Sequence, residues 1–336
     1  MTLKRKPTSY HVAQLAGVSR TTVSFVLNNR EDVAIPQKTR DLVLAAAKQL
    51  GYRPNRAASA LASGTTNYFS LWLTSLSSVM YLNWIQHMQT EVSSKGFDLV
   101  FSERGQGREL THEPRTTSEW PADGIFAYAI QWLPDYLQAH PLHTPVVLMG
   151  HYYSEHCNRY DYVGLDLYTP SLECMNHLIA SGRKNIVYFQ GPYKKTIGPP
   201  RFQAYVDAMG EAGLETHTLT SPASTRVSAY EWLRAYVEDA GMPDALFCAN
   251  DDFAIAALRV AKDMGVNVPD DMAIAGSDGL EETAYHYPGL TTIELPYTEM
   301  CRTAWKHMER RIAQPTAEPL QTIAKARLIM RDSTKS

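Results

Sequence analysis

The chain has 336 residues, 44% of them apolar and 20% charged. That is a globular composition with length for two or three domains, and it excludes a fibrous or largely disordered chain. The net charge of −3 hides an asymmetry: residues 1–60 hold ten Lys/Arg against three acids (+7), and the remainder holds 22 against 32 (−10). A basic module on an acidic body points to a polyanion partner for the module, although charge alone leaves a merely solvated basic end equally open.

No run approaches the roughly 18 apolar residues of a membrane span. The start MTLKRKPTSY is basic but lacks the apolar run of a signal peptide. Cys157, Cys174, Cys248 and Cys301 are dispersed without a CxxC pair. They argue against a disulfide framework or zinc ribbon and fit a reducing cytosol.

Residues 8–16 predict a short helix, capped by Thr8, with Val12, Leu15 and Ala16 as its apolar stripe. Gly17 allows a tight turn. Ser19 then suits the N-cap of a second helix from Arg20 to about Asn28. Val23, Val26 and Leu27 face inward there, leaving Arg20, Thr21, Ser24 and Phe25 outside. A third helix, about Gln37 to Leu50, turns Leu42, Val43, Ala46 and Leu50 inward. Together they predict a helix-turn-helix, whose second helix presents its N-terminal side chains to base edges in the major groove.

HVAQLAGVSRTTVSFVLN, followed by TRDLVLAAAKQLGYRPNRAASAL, resembles the DNA-binding head of the LacI/GalR family of bacterial transcription regulators. The resemblance covers residues 8–62. It implies that Arg20 and Thr21 occupy the principal base-reading positions, with Ser19, Thr22, Ser24, Phe25 and Asn28 beside them. Two positions depart from the family. Phe25 stands where many members carry a guanine-reading Arg and offers only an apolar edge, suited to a thymine methyl. His11 stands where Asp is common.

Pro54 ends the head, and Asn55–Ala62 is Ala-rich and helix-competent but too short to persist alone in water. In the family this hinge folds on operator DNA and enters the minor groove. Asn55 and Arg56 then fall on the DNA side, and Leu61 falls at the position of an intercalating wedge. A plain linker with Leu61 packed on the head is the other reading of that segment.

From Tyr68 the chain alternates strands and helices. Strands are predicted at Tyr68–Leu73, Phe97–Ser102, Gly124–Ala129, Pro145–Gly150, Tyr162–Leu165, Asn185–Gln190, Thr216–Leu219, Ala245–Cys248 and Met272–Gly276. Helices fall at 81–95, over WLPDYLQAH, up to Ser181, after Gly198, at 228–240 and at 252–264. Alternating βα units imply parallel sheets covered on both faces, and two runs of about five strands imply two subdomains with a ligand cleft at the strand carboxyl ends. CANDDFAIAALRVAKDMGVNVPDDMAIAGSDG, YPGLTTI and the GP…RFQAY stretch resemble the same family, while 103–121 is shorter and more polar than usual there.

The resemblance therefore implies an α/β chain: a helix-turn-helix head (1–53), a hinge (54–66) and a periplasmic-binding-protein-like body of two doubly wound subdomains (67–336). The first subdomain is expected at about 67–161 plus 293–321, and the second at about 162–292 plus 322–331. Arg201, Asn250 and Asp278 match the family's polar ligand positions, a set that suits vicinal hydroxyls. Asp166 matches another, and Tyr81 could cover an apolar sugar face or be an ordinary core tyrosine. Gly150 stands where some sugar-binding members place Asp.

His140/His143 and His151/His156/Cys157 resemble metal spacings only loosely, since no HExxH or Cys pair supports them. Gly105-Gln106-Gly107 lacks the third Gly of a dinucleotide loop. Asp251-Asp252 and Asp270-Asp271 have no nucleophile–base arrangement beside them, so neither enzyme, cofactor nor metal is expected. The expectation is a cytoplasmic homodimeric repressor of carbohydrate-utilisation genes, without membrane contact. It binds a pseudo-palindromic operator and answers to a small sugar-like effector. A dimer is favoured because no heptad tail follows Arg331. The alternative is a small-molecule binding protein of the periplasmic sugar-binding type without a regulatory role.

Overall fold

The computed structural model describes residues 7–27, 33–53, 64–104, 122–151, 155–192 and 200–335. It divides into two compact units, Met1–Asn67 and Tyr68–Ser336.

The first unit holds α1 (Ser9–Ala16), α2 (Arg20–Leu27) and α3 (Gln37–Leu50). Val12, Ala13, Val23, Val26, Val43, Ala46 and Ala47 form its core. Gly17 takes φ 65° between α1 and α2, the left-handed conformation that glycine reaches at no steric cost. Ser19 Oγ accepts the Thr22 N–H at 3.0 Å and so caps α2. Leu15 and Leu42, expected inside, are 47% and 49% exposed. Helices this short have room for only one narrow seam, and the smaller Ala13, Ala46 and Ala47 fill it, letting the helices approach closely.

The second unit has two parallel sheets. The first contains β1 (Tyr68–Leu73), β2 (Asp98–Glu103), β3 (Gly124–Tyr128), β4 (Val146–Gly150), β5 (Asp161–Asp166) and β11 (Gln321–Lys325), in the order β11-β5-β4-β3-β1-β2. The second contains β6 (Ile186–Gln190), β7 (His217–Thr220), β8 (Ala245–Cys248) and β9 (Ala273–Ala275), in the order β7-β6-β8-β9. β10 (Thr292–Glu294) and β12 (Arg327–Ile329) pair antiparallel in a separate ribbon.

Both faces of each sheet are covered, which is why the central strands read as continuous apolar runs. In the first sheet Phe69, Leu71, Phe126, Tyr128, Val147 and Met149 face one core with α4 (Val79–Ser94) and α10 (Tyr297–Ala313). Trp72, Ile125, Ala127, Val146 and Leu148 face the other, against α5 (Leu133–Ala139). In the second sheet Ile186 and Tyr188 pack with residues of α6 (Tyr168–Ala180) and α7 (Pro200–Glu211). Val187 and Phe189 pack with those of α8 (Arg226–Ala240) and α9 (Asp251–Asp263).

The strands divide six and four, with the ribbon apart, rather than five and five. β5 and β11, expected to open and rejoin the second subdomain, both belong to the first sheet. The physical reason is Asp161. Its side chain is fully buried, accepts Arg311 Nε at 2.7 Å and the Leu320 N–H at 2.8 Å, and lies 3.7 Å from Arg310. One carboxylate thus ties β5, the approach to β11 and the end of α10 together. The chain crosses between subdomains after β5, between β9 and α10, and between β11 and β12. Residues 330–335 return to the second sheet, where Ser333 O accepts from Ile274 N at 3.0 Å.

Asp161→Ala removes the buried acceptor of Arg311 Nε and of the Leu320 N–H and should cost about 3 kcal/mol. Urea unfolding followed by tryptophan fluorescence reads this, and a loss below about 1 kcal/mol would show the edge to be held by strand pairing alone.

Candidate functional site

The carboxyl ends of the two sheets face one cavity of about 210 Å³, small-molecule in scale. Tyr81, Arg201, Asn250 and Asp278, four of the five effector residues expected from sequence, line it together. Asp166 does not. It ends β5 and accepts the Thr169 N–H in the first turn of α6 at 3.0 Å. Thr74, Ser78, Glu103, Tyr128, His151 and Ser224 also line the cavity and were not singled out from sequence as ligand contacts.

The second subdomain supplies the charged wall. Arg201, on the first turn of α7, is 6% exposed; its Nη1 donates to Ser277 Oγ at 3.0 Å and lies 3.9 Å from Asp278 Oδ1. Asn250 caps α9: its Oδ1 accepts the Phe253 N–H at 2.9 Å, leaving the amide nitrogen as a donor. Asp278 has φ 133°, a region that favours glycine. It is held there by its N–H to Ile293 O (2.9 Å) and by Tyr297 OH donating to its carbonyl (3.0 Å).

Behind this wall sit two more acids. Asp251 accepts from Thr292 Oγ1 at 2.6 Å and Leu280 N at 2.8 Å. Burial pushes its carboxyl up to about 6, against those hydrogen bonds and with help from neighbouring Asp252. Burial likewise raises Asp278 well above the carboxylate range; Arg201 pulls it back, and Asp251 and Asp252 push it further. Asp251-Asp252 is therefore a structural pair and not an acid–base couple: both carboxylates are occupied by protein donors.

Asp252 spans the cleft. It accepts Ser78 Oγ at 2.7 Å from the first subdomain and Arg226 Nε at 2.6 Å from its own. Arg226 also pairs with Glu282. Ser78 is the N-cap of α4, so the start of that helix is tied directly to the opposite wall.

The first subdomain brings Tyr81 on α4, set edge-on to Tyr128 with ring centroids 6.5 Å apart, and His151 just after β4. The ring nitrogens of His151 are buried. Burial, and secondarily the charge of Arg201, bring its pKa down to about 3.

On the head, Ser19, Arg20, Thr21 and Ser24 are exposed, while Thr22 and Phe25 are half-buried. Arg20, Thr21 and Ser24 thus share an outer face of α2, opposite buried Val23 and Val26. His11 joins the α1 cap: Thr8 N donates to His11 Nδ1 at 3.1 Å. Asn28, Asn55, Arg56 and Leu61 lie outside the described residues, as do Gly105–Gly107 and the rest of the polar 105–121 segment. Among the described residues no group of three or more His, Cys, Asp or Glu could hold a metal, and no helix is long and apolar enough to cross a membrane.

Comparison with known proteins follows the same division. The profile of bacterial regulatory proteins of the lacI family matches residues 8–55, and that of the periplasmic binding protein-like domain matches 175–334. The HTH-type transcriptional regulator CelR of Thermobifida fusca is 30% identical over 99% of this chain and all of its own. The transcriptional repressor PurR of Pasteurella multocida is 26% identical over 97% of this chain and 98% of its own. A solved CelR–cellobiose complex superposes with TM-score 0.69 at 28% identity, covering 97% of this chain and 99% of that one. The lac repressor dimer bound to operator and the anti-inducer ONPF reaches 0.80 at 20% identity over 99% and 100%, a likeness of fold alone.

Neutral burial of His151 makes a pH prediction. The unfolded chain takes up its proton near 6.5 and the folded chain only near 3, so stability is complete above about 6.5 and lost as pH falls towards 3. Relative to His151→Gln, the wild type should lose about 2 kcal/mol between pH 7 and pH 5. Asp251 acts in the opposite direction in both proteins, losing stability as pH rises from 3.8 to about 6, and cancels in the comparison. Urea titrations at both pH values would read the gap, and a pH-independent gap would mean the ring titrates normally.

Proposed function

The chain belongs to the LacI family of bacterial regulatory proteins, and on that premise we propose a cytoplasmic homodimer that represses carbohydrate-utilisation genes and is controlled by a saccharide bound between its two body subdomains. It is a DNA-binding transcriptional regulator with a small-molecule effector, and its relatives are regulators rather than enzymes. The single observation that carries the saccharide reading is the cavity itself. One wall offers the fixed Arg201, Asn250 and Asp278, which suit vicinal hydroxyls, and the other offers Tyr81 and Tyr128, which suit an apolar sugar face. The relative whose complex contains cellobiose supports that class.

On DNA, the exposed Arg20, Thr21 and Ser24 of α2 read base edges, with Ser19, Thr22, Phe25 and Asn28 beside them. The hinge, with Asn55, Arg56 and Leu61, completes the contact in the minor groove. The domain limits proposed are a head to 53, a hinge over 54–66 and the body from 67. Two-fold symmetry of the dimer calls for a pseudo-palindromic operator. Control is linkage: the effector changes operator affinity only by binding one inter-subdomain arrangement better than another. The Ser78–Asp252 hydrogen bond belongs to the arrangement described and favours it in the absence of ligand.

Gel shifts with DNA flanking the gene test the regulatory reading, and selected sites without two-fold symmetry would refute the dimeric operator. Arg201→Ala should weaken saccharide binding by about 2 kcal/mol or more, while the unliganded protein still shifts operator. Calorimetry showing unchanged affinity would move the effector site elsewhere. Ser78→Ala removes a hydrogen bond to a charged group, of about 1.5–3 kcal/mol. It should lower effector affinity and raise the radius of gyration of the unliganded body in X-ray scattering; an unchanged radius would show that other contacts hold the cleft.

A further inference from the structure

We propose that Glu103 is a specificity-determining contact of the effector cavity. Its carboxylate takes hydrogen bonds from hydroxyls at the end of the ligand away from Arg201, so that the effector extends beyond a single sugar ring. The proposal rests on the saccharide reading above and adds a residue and a length to it.

The register of the first sheet places this side chain. Leu73, the last residue of β1, pairs with Glu103 of β2 on one side and with Tyr128 of β3 on the other. Residues paired across a parallel sheet point to the same face, so Glu103, Leu73 and Tyr128 form one row on the face that packs with α4. Arg104, the next residue, belongs to the opposite face, where its guanidinium lies 4.4 Å from the centre of the Trp72 ring. Its N–H donates to Leu73 O at 2.8 Å, which carries the pairing one residue past Glu103 and fixes the backbone there. Glu103 and Tyr128 both line the cavity, on either side of buried Leu73.

The row also separates the two residues. Two strand spacings of about 4.8 Å put Glu103 about 10 Å from Tyr128. Tyr128 stands by the charged wall: burial, then Tyr81 and Asp278, raise its phenol pKa, and Arg201 lowers it. A pyranose held between Tyr128 and that wall leaves Glu103 to one side, at the edge strand of the sheet.

The hydroxyls nearby are already committed. Thr74 Oγ1 donates to Ala129 O at 2.7 Å, the Ser75 and Ser77 hydroxyls pair at 2.9 Å, and Ser78 donates to Asp252 at 2.7 Å. Glu103 is exposed, and among the described residues none hydrogen-bonds or pairs with its carboxylate. A carboxylate accepts and does not donate, and its two oxygens can take both hydroxyls of a vicinal pair. The ligand must therefore bring donors to this end, as a sugar does and a carboxylate or phosphate does not. One ring held by Arg201, Asn250 and Asp278 would leave Glu103 in water; a second ring supplies its donors.

The test titrates cellobiose, lactose, glucose and galactose calorimetrically into the full-length wild type, Glu103→Ala and Glu103→Gln, with melting temperatures of the unliganded proteins measured alongside. The wild type should bind at least one disaccharide about tenfold or more tighter than either monosaccharide. Glu103→Ala should lose about tenfold or more on that disaccharide, while any monosaccharide binding stays within about twofold. Glu103→Gln, which keeps one accepting oxygen, should fall between. Melting temperatures should stay within a few degrees of wild type, as an exposed strand end implies. Unchanged disaccharide affinity in Glu103→Ala overturns the assignment alone. Equal loss on both classes of sugar overturns it too, as does a loss accompanied by a fall in melting temperature, which marks the carboxylate as a structural support. A wild type that binds monosaccharides as tightly as disaccharides overturns the second ring. A wild type that binds none of these sugars overturns the saccharide reading and the assignment with it.

Discussion

The carboxylate of Asp251 holds the second wall of the cleft in shape. It sits on the first turn of α9, where the unpaired N–H groups of the helix favour negative charge. From there it accepts the Thr292 hydroxyl and the Leu280 N–H, reaching across to β10 and to the segment after β9. That segment carries Ser277, which accepts from Arg201, and Asp278, whose backbone is held at positive φ. Gly276 makes the approach possible, because a Cβ there would lie 2.3 Å from Asp251 Oδ1. This buried acceptor adds to the hydrogen bonds that Asp278 makes with Ile293 O and Tyr297 OH in fixing the segment that carries Ser277, the partner of Arg201.

Three acids in one corner raise an electrostatic cost that the neighbourhood must offset. Asp251 is satisfied by neutral donors, Asp252 by Arg226 and Ser78, and Asp278 by proximity to Arg201. Burial of like charges is expensive unless each has a partner. The compensation has a functional side. The Asp252 partner set includes Ser78 from the opposite subdomain, so a charge that must be satisfied for stability is satisfied partly across the cleft. In the arrangement described, Asp252 thus takes part of its hydrogen bonding from the opposite subdomain.

The first subdomain faces this polar wall with a different chemistry. Tyr81 and Tyr128 lie edge to face, and the 74–78 loop spends its hydroxyls on the backbone carbonyl of Ala129, on one another and on Asp252. A ligand therefore meets a rigid hydrogen-bonding side and a largely aromatic side. This asymmetry suits a pyranose, with hydroxyls around its rim and an apolar face.

The sequence by itself determined the head, the α/β class of the body and, through the family resemblance, most of the polar wall of the cleft. A capped helix after AGVS needs only local geometry, and Ser19 caps α2 as its position in the chain demands. Continuous apolar strands announce sheets covered on both faces wherever they occur. Arg201, Asn250 and Asp278 were legible through the family resemblance, and their place near the carboxyl ends of the strands agrees with where open α/β sheets bind ligands. Tertiary structure decided what depends on residues distant in the chain. Nothing local to DYVGLD or QTIAK states which sheet takes it; Asp161 meeting Arg311, 150 positions away, assigns both strands to the first. Asp166, matched to a ligand position by the resemblance, lies outside the cavity lining and accepts the Thr169 N–H in the first turn of α6. His151, set aside as a loose metal motif, entered the cavity because the ends of β3 and β4 close on Gly150, a contact between strands that the sequence order of neither reveals. The Ser78–Asp252 bond lies further still from local rules: a cap on one helix and an acid on another meet across 174 positions only once both sheets have folded and faced each other.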